Sequence, residues 1–379
     1  MRRGGRPQTF PGTPQIRLRA GAFRVHGRRF ARSAALACAH ARLAARGRGS
    51  DRSSLGCTND HAQGRCLHPW LSAVLRVNAL AISEEFYVTA LPLAMWVGRW
   101  RWAGHALALQ AISLSLGNAC KDTVGSPRPW QVAPGRVRAI EQGGMTPVMD
   151  EYGFPSTHTW NGLNLAWSLA TLLCQELGVQ PALSFSLAAL WVASVLFSRV
   201  YMGAHTLVDL VGGFVLGACT LAVVNSLWGA TLQLLWALPW ACSALVAAGV
   251  VLWLDFVHPL PPAPTPSKKY ARSLAATAAG VAVGFARAAR ERHLRAWLDA
   301  SLSPLNPVAG ARFFLGLAMA VATKESVKVA LGAMGVAGNK AQKGAAEPRA
   351  AVVSRYAQYA AMGWCIAEGA PAVLIRLGL

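Results

Sequence analysis

Residues 198–209 read Ser-Arg-Val-Tyr-Met-Gly-Ala-His-Thr-Leu-Val-Asp and separate two long apolar runs. On a helix, His205 and Asp209 lie one above the other, because residues four apart share a face. The carboxylate can then accept the proton on Nδ1 and leave Nε2 free as a nucleophile. Arg199 stands six residues earlier, about 240° round an unbroken helix, but Gly203 permits a turn that brings it back. The stretch therefore predicts two helices whose ends meet at a reactive histidine.

The composition of the whole chain is that of a membrane protein. Apolar residues make up 54% of the 379 residues and charged residues 14%, and the mean hydropathy is +0.33. Several runs of about 20 residues carry almost no charge, as crossing about 30 Å of hydrocarbon requires. These values exclude soluble enzymes and disordered scaffolds. We predict an all-α, polytopic membrane helical bundle of about eight or nine spans. The spans are predicted near residues 75–98, 102–120, 158–176, 183–201, 206–228, 232–254, 273–288, 312–335 and 353–377.

Counting the crossings places the unusual polar residues on one face of the membrane. The second predicted span ends near Lys121, on a side that we call side X. The third span starts from side X at His158, the fourth returns to it at Arg199, and the fifth leaves it from His205. Lys and Arg also anchor spans at membrane interfaces, but interfacial anchors need neither a fixed spacing nor histidines. The arrangement therefore predicts a site on side X.

The residues on side X suit phosphoryl transfer. Lys121, Arg128 and Arg199 can surround a dianionic phosphoryl group. Ser156 and backbone amides at the start of the third span can complete the cradle. Such transfer needs mainly positioning and charge neutralisation, which three fixed cations can supply without a metal ion. His158 is placed to protonate the leaving alkoxide.

Three segments resemble a known signature. Lys121–Pro129, Pro155–His158 and Ser198–Asp209 are similar, in order and spacing, to the signature of the type 2 phosphatidic acid phosphatase and haloperoxidase superfamily. That superfamily usually has Gly where Thr157 stands. With this threonine included, two stretches resemble the sphingosine-1-phosphate phosphatase branch. They are Cys-Lys-Asp-Thr-Val-Gly-Ser-Pro-Arg-Pro from Cys120 and Glu-Tyr-Gly-Phe-Pro-Ser-Thr-His up to His158. The resemblance covers about residues 75–255 well.

The resemblance implies a membrane helical core of the phosphatidic acid phosphatase type 2 and haloperoxidase kind. It implies a phosphatase that acts on sphingoid base phosphates, such as sphingosine-1-phosphate and dihydrosphingosine-1-phosphate, in sphingolipid metabolism. It also implies a phosphohistidine intermediate, no metal, no cofactor, and a site facing the lumen of the endoplasmic reticulum. It assigns the nucleophile to His205, the orienting carboxylate to Asp209 and the acid to His158. It assigns phosphate binding to Lys121, Arg128, Ser156, the Thr157 backbone and Arg199.

Other functions fit the pattern less well. A broader lipid phosphatase, acting on phosphatidic acid or isoprenoid phosphates, would keep the same cradle and is the alternative within enzymes. A vanadate-dependent haloperoxidase uses a similar cradle but is soluble, which the composition opposes. A non-enzymatic membrane transporter would also place charges at span ends, but it has no reason to pair His205 with Asp209.

A sphingoid base phosphate carries an ammonium near its phosphate, which a site built only of cations would repel. Asp150 and Glu151 lie just before Pro155 on side X and are one candidate pair for binding it. The other pair is Glu84 and Glu85, which stand inside an apolar span where charges are expensive. Asp150 and Glu151 fit equally well a role in offsetting nearby arginines or in supporting the start of the third span.

The composition divides the chain into three parts. Residues 1–70 form a basic tail, residues 71–255 the catalytic membrane core, and residues 256–379 a proline-rich linker with further membrane helices. Residues 1–50 hold 12 Arg and no acid, which fits an organelle transit peptide or an arm on anionic lipid. The tail lacks the interleaved aromatics of a nucleic-acid binder. The predicted partners are therefore the lipid substrate and the bilayer, with no nucleic acid.

A small group of possible metal ligands follows the tail. Cys57, His61, Cys66 and His68 stand close together in sequence. Their spacing fits no standard zinc site, so we predict no metal there.

Overall fold

The computed structural model describes residues 57–58, 65–66, 69–82, 84–133, 151–261, 265–336 and 347–379. Nearly all of the regular structure in these ranges is helical, as the composition predicts. The exception is a pair of two-residue strands, β1 (Cys57–Thr58) and β2 (Arg65–Cys66), which pair antiparallel. The predicted all-α class is confirmed for the described part of the chain, apart from this short pairing. Residues 1–56, His61 and His68 lie outside the described residues, so the predictions for the tail and the possible metal ligands stay predictions.

The helices follow one another along the described chain. They are α1 (Pro69–Leu80), α2 (Glu84–Ala94), α3 (Trp100–Val124), α4 (Pro129–Val132), α5 (Thr157–Leu177), α6 (Pro181–Tyr201), α7 (Leu207–Ala237), α8 (Trp240–Val257), α9 (Ser267–Ala288), α10 (Arg292–Asp299), α11 (Pro307–Ala333), α12 (Arg349–Trp364) and α13 (Ala370–Arg376). Two π-helical turns, Met95–Arg99 and Cys365–Gly369, connect α2 to α3 and α12 to α13.

Three of the described helices, α6, α7 and α8, are long and apolar enough to cross a membrane. They correspond to the predicted spans 183–201, 206–228 and 232–254. The turn between α7 and α8 lies at Leu238 and Pro239, later than predicted, because a residue before proline is disfavoured in helical conformation. The other predicted spans also fall on helices, but the count of eight or nine spans stays a prediction.

The first predicted span, 75–98, is wrong as a single helix. α1 and α2 are separate helices, and the turn after α2 breaks the chain again. Gly98 in this turn has a φ of +88°, and a Cβ there would lie 2.5 Å from the Ala300 carbonyl oxygen. The Leu302 N–H donates to the Val97 carbonyl oxygen at 3.1 Å. The break is therefore accommodated by a segment that is distant in sequence.

The sequence analysis does not predict α10. Eight residues are too few to stand out as a span, and the helix is charged. It nevertheless buries Leu294 and Leu298, one turn apart, so its apolar spacing is that of a short amphipathic helix.

α3 links two groups of helices. It packs against both α5 and α9; α5 also packs against α6 and α7, and α9 against α8 and α12. Glycines allow α9 and α12 to approach closely, since a Cβ at Gly280 would overlap the Ala360 carbonyl group and one at Gly363 the Thr277 carbonyl group. The group α5 to α7, which carries most of the predicted site, is thus joined through α3 to the later helices.

Candidate active site

The ends of four helices meet at one place. α3 ends at Gly125, which has a φ of +61° and donates its N–H to the Lys121 carbonyl oxygen at 2.9 Å. The Ser156 N–H donates to the Asp209 carbonyl oxygen at 3.0 Å, joining the start of α5 to the first turn of α7. Arg128 Nη1 donates to the carbonyl oxygen before His205 at 3.3 Å, joining the loop after α3 to the turn between α6 and α7. The three segments singled out from the sequence are therefore neighbours.

A close approach of α7 to the start of α5 maintains this arrangement. A Cβ at Gly213 would overlap the Ser156 carbonyl oxygen. A Cβ at Gly153 would lie 3.2 Å from Oδ2 of Asp209. Neither glycine is among the predicted site residues. The sequence contains one indication of the role of Gly213, which follows Asp209 by four residues and so lies on the same helix face.

Arg199 is a buried cation at the end of α6. Its side chain is 1% exposed. Nε donates to Oγ of Ser198 at 3.2 Å, and Nη2 lies 3.7 Å from Sδ of Met202. Among the residues that the structure describes, no carboxylate forms an ion pair with Arg199. A buried charge without a counter-charge is costly, so this guanidinium is suited to binding an anion.

The turn that follows Arg199 returns the chain toward it. Gly203 has a φ of +63°, a conformation that glycine adopts readily. The Ala204 N–H donates to the Arg199 carbonyl oxygen at 3.0 Å. This is the turn that the sequence predicts, and it places His205 beside the end of α6.

Lys121 and Arg128 share one carboxylate oxygen. Nζ of Lys121, whose side chain is 2% exposed, and Nη2 of Arg128 each lie 3.2 Å from Oε2 of Glu151. Nε of Arg128 also donates to the backbone carbonyl oxygen of Glu151 at 3.0 Å. Burial raises the pKa of the Glu151 carboxyl, but the charges of Lys121 and Arg128 lower it more, so its pKa lies below the usual value. The carboxylate is therefore ionised and occupies the predicted phosphate cradle.

His205 and Asp209 are close but not hydrogen-bonded. Nδ1 of His205 lies 3.6 Å from Oδ2 of Asp209, beyond hydrogen-bond distance, and it has no other partner among the described residues. Oδ2 instead accepts the Thr206 N–H at 2.7 Å, while Oγ1 of Thr206 accepts the Asp209 N–H at 3.2 Å. This reciprocal cap begins α7. Catalytic hydrogen bonds are often long without substrate, and a small shift would complete this one.

His205 is held in its neutral form. Burial lowers the pKa of His205 well below its usual value, and the positive charges of Arg128 and Lys121 lower it further. Only the neutral ring has a free lone pair, so this environment favours a nucleophile.

His158 stands in the first turn of α5. It is half-buried and lies within electrostatic range of Arg199 and His205. Ser156 is the N-cap, with Oγ accepting the Thr159 N–H at 3.3 Å and the Thr159 hydroxyl at 3.1 Å. Thr157 opens the helix, where backbone amides favour an anion. Ser156 thus has a structural task in this state, and phosphate binding by Ser156 and Thr157 stays a prediction.

Residues 99–233 match the sequence profile of the PAP2 superfamily. This segment is therefore similar to PAP2 domains. It contains every residue of the cradle and both histidines described above. The rest of the chain lies outside that match.

Curated relatives confirm the predicted resemblance to the sphingosine-1-phosphate phosphatase branch. Lipid phosphate phosphatase delta of Arabidopsis thaliana is 31% identical over 58% of this chain and 53% of that protein. A dihydrosphingosine 1-phosphate phosphatase of Schizosaccharomyces pombe is 27% identical over 51% of this chain and 47% of that protein. Sphingosine-1-phosphate phosphatase 2 of Mus musculus is 26% identical over 56% and 57%. The chain thus spans about half the length of the curated relatives that it matches.

The remaining predicted site residues have different outcomes. Asp150 lies outside the described residues, so its predicted role is untested. The backbone of Glu84 and Glu85 begins α2, but their side chains also lie outside the described part. Within the described ranges, no group of three or more His, Cys, Asp or Glu side chains could hold a metal ion.

Proposed function

We propose that this chain is an integral membrane lipid phosphate phosphatase that hydrolyses the phosphomonoester of sphingoid base phosphates. The observation that carries the proposal is the clustering of Lys121, Arg128 and Arg199 with His158 and His205 at the meeting point of α3, α5, α6 and α7. Fixed cations stabilise the charge that spreads over the phosphoryl oxygens during transfer. The neutral His205 supplies the nucleophile.

The first step is transfer of the phosphoryl group to His205. The lone pair on Nε2 forms a bond to phosphorus as the bond from phosphorus to the sphingoid base oxygen breaks. His158, which takes up a proton as the phosphate dianion binds, donates it to that oxygen, which leaves as the alcohol. Asp209 accepts the Nδ1 proton of His205 as a hydrogen bond and stabilises the positive charge that develops on the ring.

The second step is hydrolysis of the phosphohistidine. His158, now neutral, takes a proton from a water molecule whose oxygen attacks phosphorus. The bond from phosphorus to Nε2 breaks, His205 regains its lone pair, and inorganic phosphate leaves. His158 releases this proton as phosphate leaves, and so ends the cycle as it began. Each residue thus returns to its starting state without a metal ion or cofactor.

The substrate class rests on the sequence likeness. Two of the relatives are named for the phosphates of dihydrosphingosine and sphingosine, and a third is named only as a lipid phosphate phosphatase. A broader lipid phosphatase acting on phosphatidic acid or isoprenoid phosphates is the alternative. Comparing kcat/KM for dihydrosphingosine 1-phosphate with that for phosphatidic acid separates the two.

We place the protein in the endoplasmic reticulum membrane, with the site facing the lumen, on the family resemblance. The positive-inside rule opposes this orientation if α1 and α2 together make one crossing, because the rule puts the Arg-rich tail in the cytosol and the predicted crossing count then puts the tail on the same side as the site. Measuring hydrolysis in sealed and in permeabilised microsomes decides the matter. A lumenal site needs permeabilisation for full activity; full activity in sealed microsomes would place the site in the cytosol.

The activity itself is tested by phosphate release from dihydrosphingosine 1-phosphate by the purified protein. We expect turnover by the parent and by a His105→Ala variant, since His105 lies on α3 and packs against Trp228, away from the cradle. His205→Ala should be inactive while remaining folded. Equal turnover by His205→Ala and the parent would refute the mechanism, and no turnover of any lipid phosphate by the parent would refute the function.

A further inference from the structure

The carboxylate of Glu151 stands where the proposed mechanism needs a phosphate. Its Oε2 contacts both Lys121 Nζ and Arg128 Nη2 at 3.2 Å, and its side chain is 17% exposed. These two cations are the ones that Arg199 would join in binding a phosphoryl group. An incoming phosphate must therefore compete with a carboxylate that belongs to the protein.

The charge is not needed to hold the Glu151 backbone in place. Nε of Arg128 donates to the Glu151 carbonyl oxygen at 3.0 Å, and the Gly153 N–H donates to the Ser126 carbonyl oxygen at 2.7 Å. Both bonds use backbone atoms of the 151–153 segment. A glutamine at position 151 would keep both bonds.

The charges of the site favour a headgroup of a particular kind. Without a bound phosphate, Lys121 and Arg128 are the counter-charges of the Glu151 carboxylate. A phosphate that takes its place at these two cations leaves the carboxylate without a counter-charge. A phosphate that brings its own ammonium supplies one, and a paired charge costs less to bury than an unpaired charge.

We propose that Glu151 makes the site specific for phosphates that carry a nearby ammonium, because its carboxylate changes ion-pair partners when such a phosphate binds. Without substrate its carboxylate neutralises Lys121 and Arg128; when a phosphate enters, the carboxylate is displaced and pairs with an ammonium on the carbon next to the one that bears the ester oxygen. A phosphate monoester without that ammonium displaces the carboxylate and offers it no new partner. This inference rests on the proposed function for the identity of the lipid, but the exchange concerns the headgroup alone.

Two soluble headgroups test the exchange directly. Phosphoethanolamine carries the ammonium at the required position, whereas ethyl phosphate lacks it. Binding constants for both are measured on the full chain by titration calorimetry. The parent should bind phosphoethanolamine at least about fivefold more tightly than ethyl phosphate, the effect of one partly desolvated ion pair. Equal affinities in the parent would overturn the proposal without any variant.

The Glu151→Gln variant tests the competition. Because the internal anion is removed, ethyl phosphate and orthovanadate should bind about tenfold more tightly than to the parent, as when a competing state is eliminated. The preference for phosphoethanolamine should disappear. Unchanged or weaker binding of ethyl phosphate to the folded variant would show that the carboxylate and the phosphate do not compete, and would overturn the proposal.

Glu347 provides a matched control. Its carboxylate also bridges two cations, Arg272 at 2.9 Å and Arg355 at 2.6 Å, but neither belongs to the cradle. Glu347→Gln should leave both headgroup affinities at the parent values, and a gain equal to that of Glu151→Gln would overturn the proposal as a general charge effect. These readouts need no turnover, so they remain decisive if the proposed phosphatase activity fails.

Discussion

Replacing Gly213 by alanine tests whether the contact between α5 and α7 positions the site. A Cβ at this position would overlap the carbonyl oxygen of Ser156, the N-cap of α5. Because that oxygen belongs to the backbone, it cannot move aside as the end of a flexible side chain could. The added methyl group must push the first turn of α7, with Asp209, away from the start of α5, with His158.

The overlap between the added Cβ and the Ser156 carbonyl oxygen sets the expected cost of Gly213→Ala. Overpacking of this kind costs about 1–3 kcal/mol of folding free energy, which a membrane bundle of this size can tolerate. Catalysis is more sensitive, because a displacement of about 1 Å in a positioned group can cost about a hundredfold in rate. We therefore expect Gly213→Ala to remain folded and to lose about a hundredfold in kcat.

Gly229 provides the control on the same helix. No atom lies within 4 Å of a Cβ placed there, so Gly229→Ala should keep parent kcat and gain up to about 1 kcal/mol from helix propensity. The assay compares kcat for dihydrosphingosine 1-phosphate and the thermal unfolding midpoint for the parent and both variants. Parent-like kcat in a folded Gly213→Ala protein would refute the positioning argument.

Three further predictions concern the same site. Asp209→Asn should lower kcat by about a hundredfold to ten-thousandfold through loss of the orienting charge; single-turnover rates check this, and a loss below about tenfold would contradict it. Activity should persist in EDTA and be inhibited by vanadate; loss in EDTA with rescue by Mg²⁺ would contradict metal independence. Lys121 lowers the pKa of His205, so in Lys121→Gln the acidic limb of kcat/KM should move to higher pH. An unmoved limb would contradict that coupling.

Much of the site could be predicted because its residues are close together in sequence or are placed on one side of the membrane by the number of crossings. The spacing of His205 and Asp209 predicts their proximity, and a glycine at 203 predicts the return of the chain to Arg199. The crossing count predicts that Lys121 and His158 lie on the same side as both. Boundary errors of a few residues do not affect these arguments.

The features that the sequence analysis missed depend on contacts between distant segments. Nothing near Gly98 indicates that Ala300 and Leu302 will pack against it and break the first predicted span. The 3.6 Å gap between His205 and Asp209 reflects the competing cap from Thr206. These details are set by packing and hydrogen bonds that a residue pattern does not contain.

At Glu151 the sequence leaves open a choice between two roles, and the structure adds the position of the side chain. Its charge and its place before Pro155 suggest a role in binding an ammonium or in offsetting arginines, and the sequence leaves both open. The structure places its carboxylate between Lys121 and Arg128, where it offsets two cations. The proposed exchange joins the two roles in successive states of one residue.

Trapping of a covalent intermediate shows directly whether His205 is the nucleophile. The purified protein is mixed with dihydrosphingosine 1-phosphate labelled with ³²P, quenched within the first turnover, and analysed under alkaline conditions that preserve phosphohistidine. We expect labelled protein in the parent, with the label on a peptide containing His205, and no label in His205→Ala. Hydrolysis by the parent with no labelled protein at any quench time, or label that persists in His205→Ala, would contradict it.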